Sequence, residues 1–174
     1  MKVFLNNYVF SKPLVSYNEI PLRIFYKIKS LIKLQFPLQG FARYHVSTFI
    51  INSAKKYNIP NNRLLDVGAG HQPYKKYFDK CIYESCDNKE VIEEVKYDIG
   101  NIKHTFYSDI NISISQADNS YDLVLCSEVL EHVYNPSTTI KEINRILKKN
   151  GILILTAPQC SGEHQMPHHY FNYS

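Results

Sequence analysis

Residues 64–73 read LLDVGAGHQP. An apolar run ends in Asp66, then Gly68 and Gly70 flank Ala69 ahead of His71, Gln72 and Pro73. Glycines at such a bend permit positive φ and let a ligand come close to the backbone. An acid just before it suits a ligand that carries positive charge or hydrogen-bond donors. A dinucleotide-binding loop would place a third glycine where Pro73 stands. Pro73 instead suits the first position of a helix, where its missing N–H costs nothing. Pro73 and Asp66 together argue against a nicotinamide oxidoreductase. Two further acids recur at matching places. Asp87 follows the next apolar run and can accept both hydroxyls of a ribose. Asp109, with Ile110 beside it, can take an exocyclic amine while the aliphatic chain covers a base.

A histidine near neutral pKa can take a proton from a hydroxyl. His132, in EVLEHV, is the candidate general base; packing or capping of a short helix is the alternative. Glu131 beside it is expected on another face, in a surface or structural pair. His164 and His168 are four apart, but Pro167 breaks the helix that would let them share a metal, and no acid follows at ligand spacing. No metal is expected. The four cysteines form no C-x-x-C pair and no zinc spacing, so reduced, buried thiols in a cytoplasmic protein are expected.

Positioning these residues requires alternating strands and helices. RLLDV (63–67), CIYESCD (81–87), TFYSD (105–109), YDLVLC (121–126) and ILILTAP (152–158) read as strands. Helices are expected at 73–78, 128–133 and 136–149, and 89–103 as a short helix or loop. Asn135 and Pro136 supply the start of the 136–149 helix; Lys148, Lys149 and Asn150-Gly151 supply its end. Strand and helix in alternation imply a parallel sheet with helices on both faces, with ligand at the carboxyl ends of the strands.

Charge divides the chain near Pro60. Residues 1–60 carry nine Lys/Arg against one acid, and residues 61–174 eleven against fifteen. Residues 22–36 read as a basic amphipathic helix, expected to pack on the main domain or to meet an anionic substrate or membrane surface. A second helix covers roughly 41–57, after a break at Pro37 and Gly40. No apolar run approaches the roughly 18 residues of a membrane span, and residues 1–10 do not read as a signal peptide. No nucleic-acid motif accompanies the basic segment, so nucleic acid is not an expected partner.

The ordered motifs resemble the class I S-adenosylmethionine-dependent methyltransferases of the type 11 methyltransferase-domain group. LLDVGAG is similar to the family's first motif and ESCDN to its ribose-binding acid. SDI with ADNSYDLVLCSEVLEHV, and NPSTTIKEINRILKKNGILILTAP, are similar to its later motifs. The likeness covers roughly residues 62–170. It implies an α/β, Rossmann-like, doubly wound, mainly parallel sheet of about five strands. It divides the chain into a basic helical N-terminal extension (1–60) and an S-adenosylmethionine-binding methyltransferase domain (61–174).

By position, Asp66, Gly68, Ala69 and Gly70 would hold the cofactor's amino-acid end, Asp87 and Asn88 the ribose, and Asp109 and Ile110 the adenine. Ser127 and Glu128 would line the methyl-transfer side. His164, His168 and Tyr170 would meet a small-molecule, sugar or lipid-linked acceptor. Two departures stand out. Gln72 replaces a small residue, and the family's final helix and antiparallel hairpin, which complete a seven-stranded sheet, do not follow ILIL. That absence leaves 152–156 at a sheet edge, where a truncated or non-catalytic scaffold, a homo-oligomer, or cover by the N-terminal segment is expected.

Overall fold

The computed structural model describes residues 2–5, 38–94, 100–158, 167–171 and 173, with residues 2–5 and 38–42 described by their backbone. The predicted basic helix at 22–36, the 95–99 part of the ambiguous segment, Cys160 and His164 lie outside these residues. The elements in order are β1 (Lys2–Leu5), α1 (Leu38–Tyr57), β2 (Arg63–Val67), β3 (Ile82–Asp87), α2 (Lys89–Glu94), β4 (Phe106–Tyr107), β5 (Tyr121–Ser127), α3 (Pro136–Ile146) and β6 (Leu147–Thr156). They form one six-stranded sheet in the order β1-β6-β5-β2-β3-β4, and every pairing is parallel.

The alternation of side chains along each strand assigns two faces. Leu64, Leu123, Leu125 and Ile154 meet Val46, Ile50 and Ala54 of α1 on one face. Leu65, Val67, Val124, Cys126, Leu153 and Leu155 pack on the other with Ile143 and Ile146 of α3. The helix predicted over 41–57 begins earlier, at Leu38. Gly40 does not break it, because it falls in the first turn, where N–H groups have no intrahelical partner to lose.

Asn135 caps α3 as expected, its side chain accepting from the Thr138 amide at 3.2 Å, with Pro136 following. The other end departs from expectation. Helix gives way to strand at Leu147, and Lys148 and Lys149 are extended rather than helical. The Lys148 ammonium meets the Asp122 carboxylate at 2.8 Å, a contact the strand conformation permits beside β5. Asn150 nevertheless holds the left-handed φ of 65° expected of it, now within an irregular strand start. The helices predicted at 73–78 and 128–133 shrink to single 3₁₀ turns at Lys75–Tyr77 and Leu130–His132. TFYSD contributes two strand residues, Phe106 and Tyr107, to the sheet.

The outer edge of β6 is occupied. Lys2–Leu5 lie parallel to Ile152–Leu155, in register Lys2↔Ile152 to Leu5↔Leu155. This corrects the expectation of a homo-oligomer at 152–156: the chain's own β1 satisfies the backbone groups that would otherwise recruit a neighbour. Removing residues 2–5 should speed amide hydrogen exchange across 152–155 and promote self-association in sedimentation. Unchanged exchange in the shortened chain would refute the pairing. In the core, Ile143→Ala should lower the unfolding free energy by about 2–4 kcal/mol in urea titrations, because Ile143 is fully buried.

Candidate active site

β2, β3 and β5 end at Val67, Asp87 and Ser127 on one side of the sheet, so their following loops converge there. Pairing continues past β2: the amides of Gly68 and Ala69 donate to the Cys86 carbonyl at 2.9 and 3.2 Å. The backbone then bends through left-handed residues, Gly68 at φ 65° and Gly70 at φ 47°. A Cβ on Gly68 would lie 2.6 Å from a methyl of Val129, so this turn is closed to other residues by packing and by backbone alike.

The bend delivers the Gly70 amide to Asp87 Oδ2 at 2.9 Å, while the Asn88 amide meets Oδ1 at 2.8 Å. Each carboxylate oxygen takes one backbone donor and keeps acceptor capacity for a hydroxyl. Asn88 has a second task, its side chain accepting from the amides of Glu90 and Val91 at the start of α2. Gln72, at φ 52°, braces the loop from below by donating to Ser85 Oγ at 3.1 Å and to the Lys103 carbonyl at 3.3 Å.

Asp66 sits beneath the loop rather than open at its mouth. It is 3% exposed and accepts a short bond from the Tyr83 hydroxyl. Burial pushes its carboxyl up to about 7, with the Tyr83 bond pulling down and nearby Asp87 adding to the rise. Asp109 is half-buried, and its Oδ1 accepts from both the backbone and side-chain nitrogens of Asn111 at 3.0 Å. Ile110 is buried in the α3-side core, where its carbonyl accepts from Thr139 at 3.0 Å.

Beyond β5, Ser127 Oγ and Thr156 Oγ1 are 2.9 Å apart and tie the tips of β5 and β6 together. Glu128 follows in a left-handed conformation, φ 55°, its amide on the Thr156 carbonyl at 3.1 Å. A non-glycine residue held there is strained by its own Cβ. His132 Nδ1 lies 2.7 Å from the His168 carbonyl, and its ring meets His169 edge-on with centroids 5.5 Å apart. His168 Nε2 reaches Glu94 of α2 at 2.9 Å, and the Tyr173 hydroxyl donates to the Leu130 carbonyl at 3.0 Å. Tyr170 stands exposed with its ring edge-on to Tyr134.

Glu131 and His104 add to what the sequence indicated. Glu131, expected in a surface or structural pair, is 1% exposed, because the 3₁₀ turn points it inward, and its Oε1 lies 3.7 Å from His132 Nε2. Its Oε2 has no hydrogen-bond partner among the described residues, and burial pushes its carboxyl up to about 8. His104 is fully buried beside Asp87. No linear signal joins His104 to Asp87; the link appears when β4 pairs with β3 at Asp87↔Tyr107. Among the described residues no group of three or more His, Cys, Asp or Glu is placed to hold a metal ion, and no helix is long and apolar enough to cross a membrane.

A parallel sheet whose strand tips carry a glycine bend and a carboxylate with spare acceptor capacity is the architecture of a nucleoside-binding α/β domain. A family model described as a methyltransferase domain matches residues 38–173, and the chain belongs to that family, the class I S-adenosylmethionine-dependent methyltransferases. Membership implies S-adenosylmethionine as cofactor, and the acceptor capacity left on Asp87 fits its ribose.

The chain is 28% identical over 149 residues to a ubiquinone biosynthesis O-methyltransferase of Pelagibacter ubique, covering 83% of this chain and 55% of that protein. It therefore spans little more than half the length of that relative. Among solved structures, a candidate sarcosine dimethylglycine methyltransferase of Galdieria sulphuraria superposes with a TM-score of 0.55 at 17% identity, over 72% of this chain and 51% of that one. The YcgJ protein of Bacillus subtilis gives 0.50 at 21%, over 64% and 50%. These structural likenesses speak for the fold.

Both buried acids hold their proton more tightly folded than unfolded, so the native state binds more protons between pH 4 and pH 8. The unfolding free energy should then fall as pH rises through that window. Asp66→Asn and Glu131→Gln should each flatten the fall, read by denaturant titration at several pH values. A variant curve parallel to wild type would refute the assignment for that residue.

Proposed function

We propose that the chain is an S-adenosylmethionine-dependent methyltransferase acting on a small-molecule, sugar or lipid-linked acceptor. The observation that carries this reading is Asp87, tied to the glycine bend by the Gly70 amide yet left with room for two hydroxyl donors. In this reading Asp87 and Asn88 serve the ribose, and Gly68, Ala69 and Gly70 present bare backbone to the amino-acid end. Asp66 supports that loop from beneath, in contact with Tyr83. Asp109 and Ile110 serve the adenine, and Ser127 and Glu128 line the transfer side.

The bound cofactor supplies a methyl group already activated on a sulfonium. What remains for the chain is to align the acceptor and exclude water. His132 is the proposed base. A carbonyl only accepts, so the 2.7 Å contact with His168 assigns the proton of the neutral ring to Nδ1 and leaves Nε2 as the basic nitrogen. A hydroxyl acceptor suits that base, and the Pelagibacter relative is named for transfer to oxygen. Exposed Ile112, Tyr134, Tyr170 and Phe171 on the loops around His132 support an acceptor with an apolar or ring-shaped body.

A second reading, a scaffold that binds the cofactor weakly or not at all, is favoured by Asp66 lying buried against Tyr83 instead of open to a ligand. Calorimetry with S-adenosylmethionine, S-adenosylhomocysteine and NAD separates the two. We expect binding of the first two and not of NAD, with Asp87→Ala weakening it by about tenfold or more. Wild type that binds none of them would favour the scaffold. With a phenolic acceptor, His132→Gln should lower turnover by about 10²-fold or more while cofactor affinity holds.

A further inference from the structure

His104 lies just ahead of β4, and its side chain is fully buried. Its Nε2 is 3.8 Å from Asp87 Oδ2, the same oxygen that accepts the Gly70 amide at 2.9 Å. Neither ring nitrogen has a hydrogen-bond partner among the described residues. A buried polar atom left in that state costs free energy, so the site is set up to form a bond it has not yet made. The Tyr107 ring meets the imidazole edge-on, centroids 5.6 Å apart, and limits its tilt. A closure of about 1 Å would bring Nε2 within hydrogen-bonding range of Oδ2.

We propose that His104 is a positioning residue that fixes the Asp87 carboxylate for the cofactor ribose by donating from Nε2 to Oδ2 when the cofactor binds. The inference rests on the reading of Asp87 given above and extends it to a residue that does not itself touch the ribose. With Oδ2 held by Gly70 and His104 from two directions, the carboxylate cannot swing about its last torsion. Oδ1, whose other donor is the Asn88 amide, is then fixed with its open acceptor site towards a ribose hydroxyl. Burial lowers the basicity of the imidazole while the Asp87 charge raises it, with burial the larger effect, so the ring donates as a neutral tautomer.

The test compares wild type, Asp87→Ala, His104→Phe, His104→Gln and His104→Asn in calorimetric titrations with S-adenosylhomocysteine, alongside thermal melts. Phenylalanine keeps a ring without a donor, and glutamine carries its amide nitrogen near the place of Nε2. Asparagine is too short to reach. We expect His104→Phe and His104→Asn to weaken binding by about tenfold and His104→Gln to recover it to within about threefold of wild type.

His104→Phe should melt no lower than wild type, since an unpartnered polar ring is replaced by an apolar one. Equal affinity in His104→Phe, or failure of glutamine to recover it, overturns the proposal while Asp87→Ala still reports on the ribose reading. Wild type that does not bind sinks both. Should His104→Phe fold poorly, the ¹⁵N resonance of His104 Nε2 in wild type decides. It should shift on adding S-adenosylhomocysteine, and a resonance that stays fixed refutes the bond.

Discussion

The Gly70 amide donating to the Asp87 carboxylate joins the loop after one strand to the tip of the next, and the candidate site is arranged around it. The bond needs Gly68 and Gly70 in left-handed conformations, which in turn need no side chain at Gly68, where Val129 already fills the space. It also needs β2 and β3 in fixed register, which Asp66↔Ser85 and Val67↔Cys86 supply and the Gly68 and Ala69 amides prolong. A one-residue slip of β3 would turn Asp87 to the opposite face of the sheet. The two apolar faces forbid that slip, because it would send Cys86 and Ser85 to each other's places. The hydrophobic core and the polar site are therefore fixed by the same register.

How much of this was legible in the chain depends on whether the deciding contact was local. The glycine bend, the acid after the second apolar run and the Asn135 cap each reside in a few consecutive residues, and all three appear where the sequence indicated. The strand start at Leu147 did not. Lys148 and Lys149 satisfy a helix end by local rules, and only the neighbouring β5, through Asp122, makes extended backbone the better solution. KVFL at 2–5 is too short to register as a strand by itself; its pairing partner lies 150 residues away in the sequence. Glu131 shows the same limit, since a charged residue is expected outside unless a tight turn carries it in.

Burial of three titratable groups near the strand tips has a common physical consequence. Asp66, Glu131 and His104 are each withdrawn from water, and each is thereby pushed towards its neutral form. Asp87 and Asp109, by contrast, keep partial exposure and accept N–H donors. The site thus separates carboxylates that can face a ligand as acceptors from acids that lie behind them. Asp66 follows from this: a motif acid that is buried against Tyr83 contributes to the shape of the loop, and its charge is muted where it stands.

The two halves of the site are braced differently. The side around Asp87 is held by β2, β3 and β4, whose pairings run through the sheet. The side around His132 is held by a short segment far along the chain. The Tyr170 amide donates to the Glu131 carbonyl at 2.7 Å, the His168 carbonyl faces His132, and Tyr173 reaches back to Leu130. His168 also spans to Glu94 at the end of α2, the helix that begins at the Asn88 cap. His168, Tyr170, Phe171 and Tyr173 therefore bridge the loop after β5 and the helix after β3. Order at His132 depends on that bridge, whereas order at Asp87 does not. The strand pairings alone therefore position Asp87, whereas the position of the His132 ring follows from contacts with residues beyond β6.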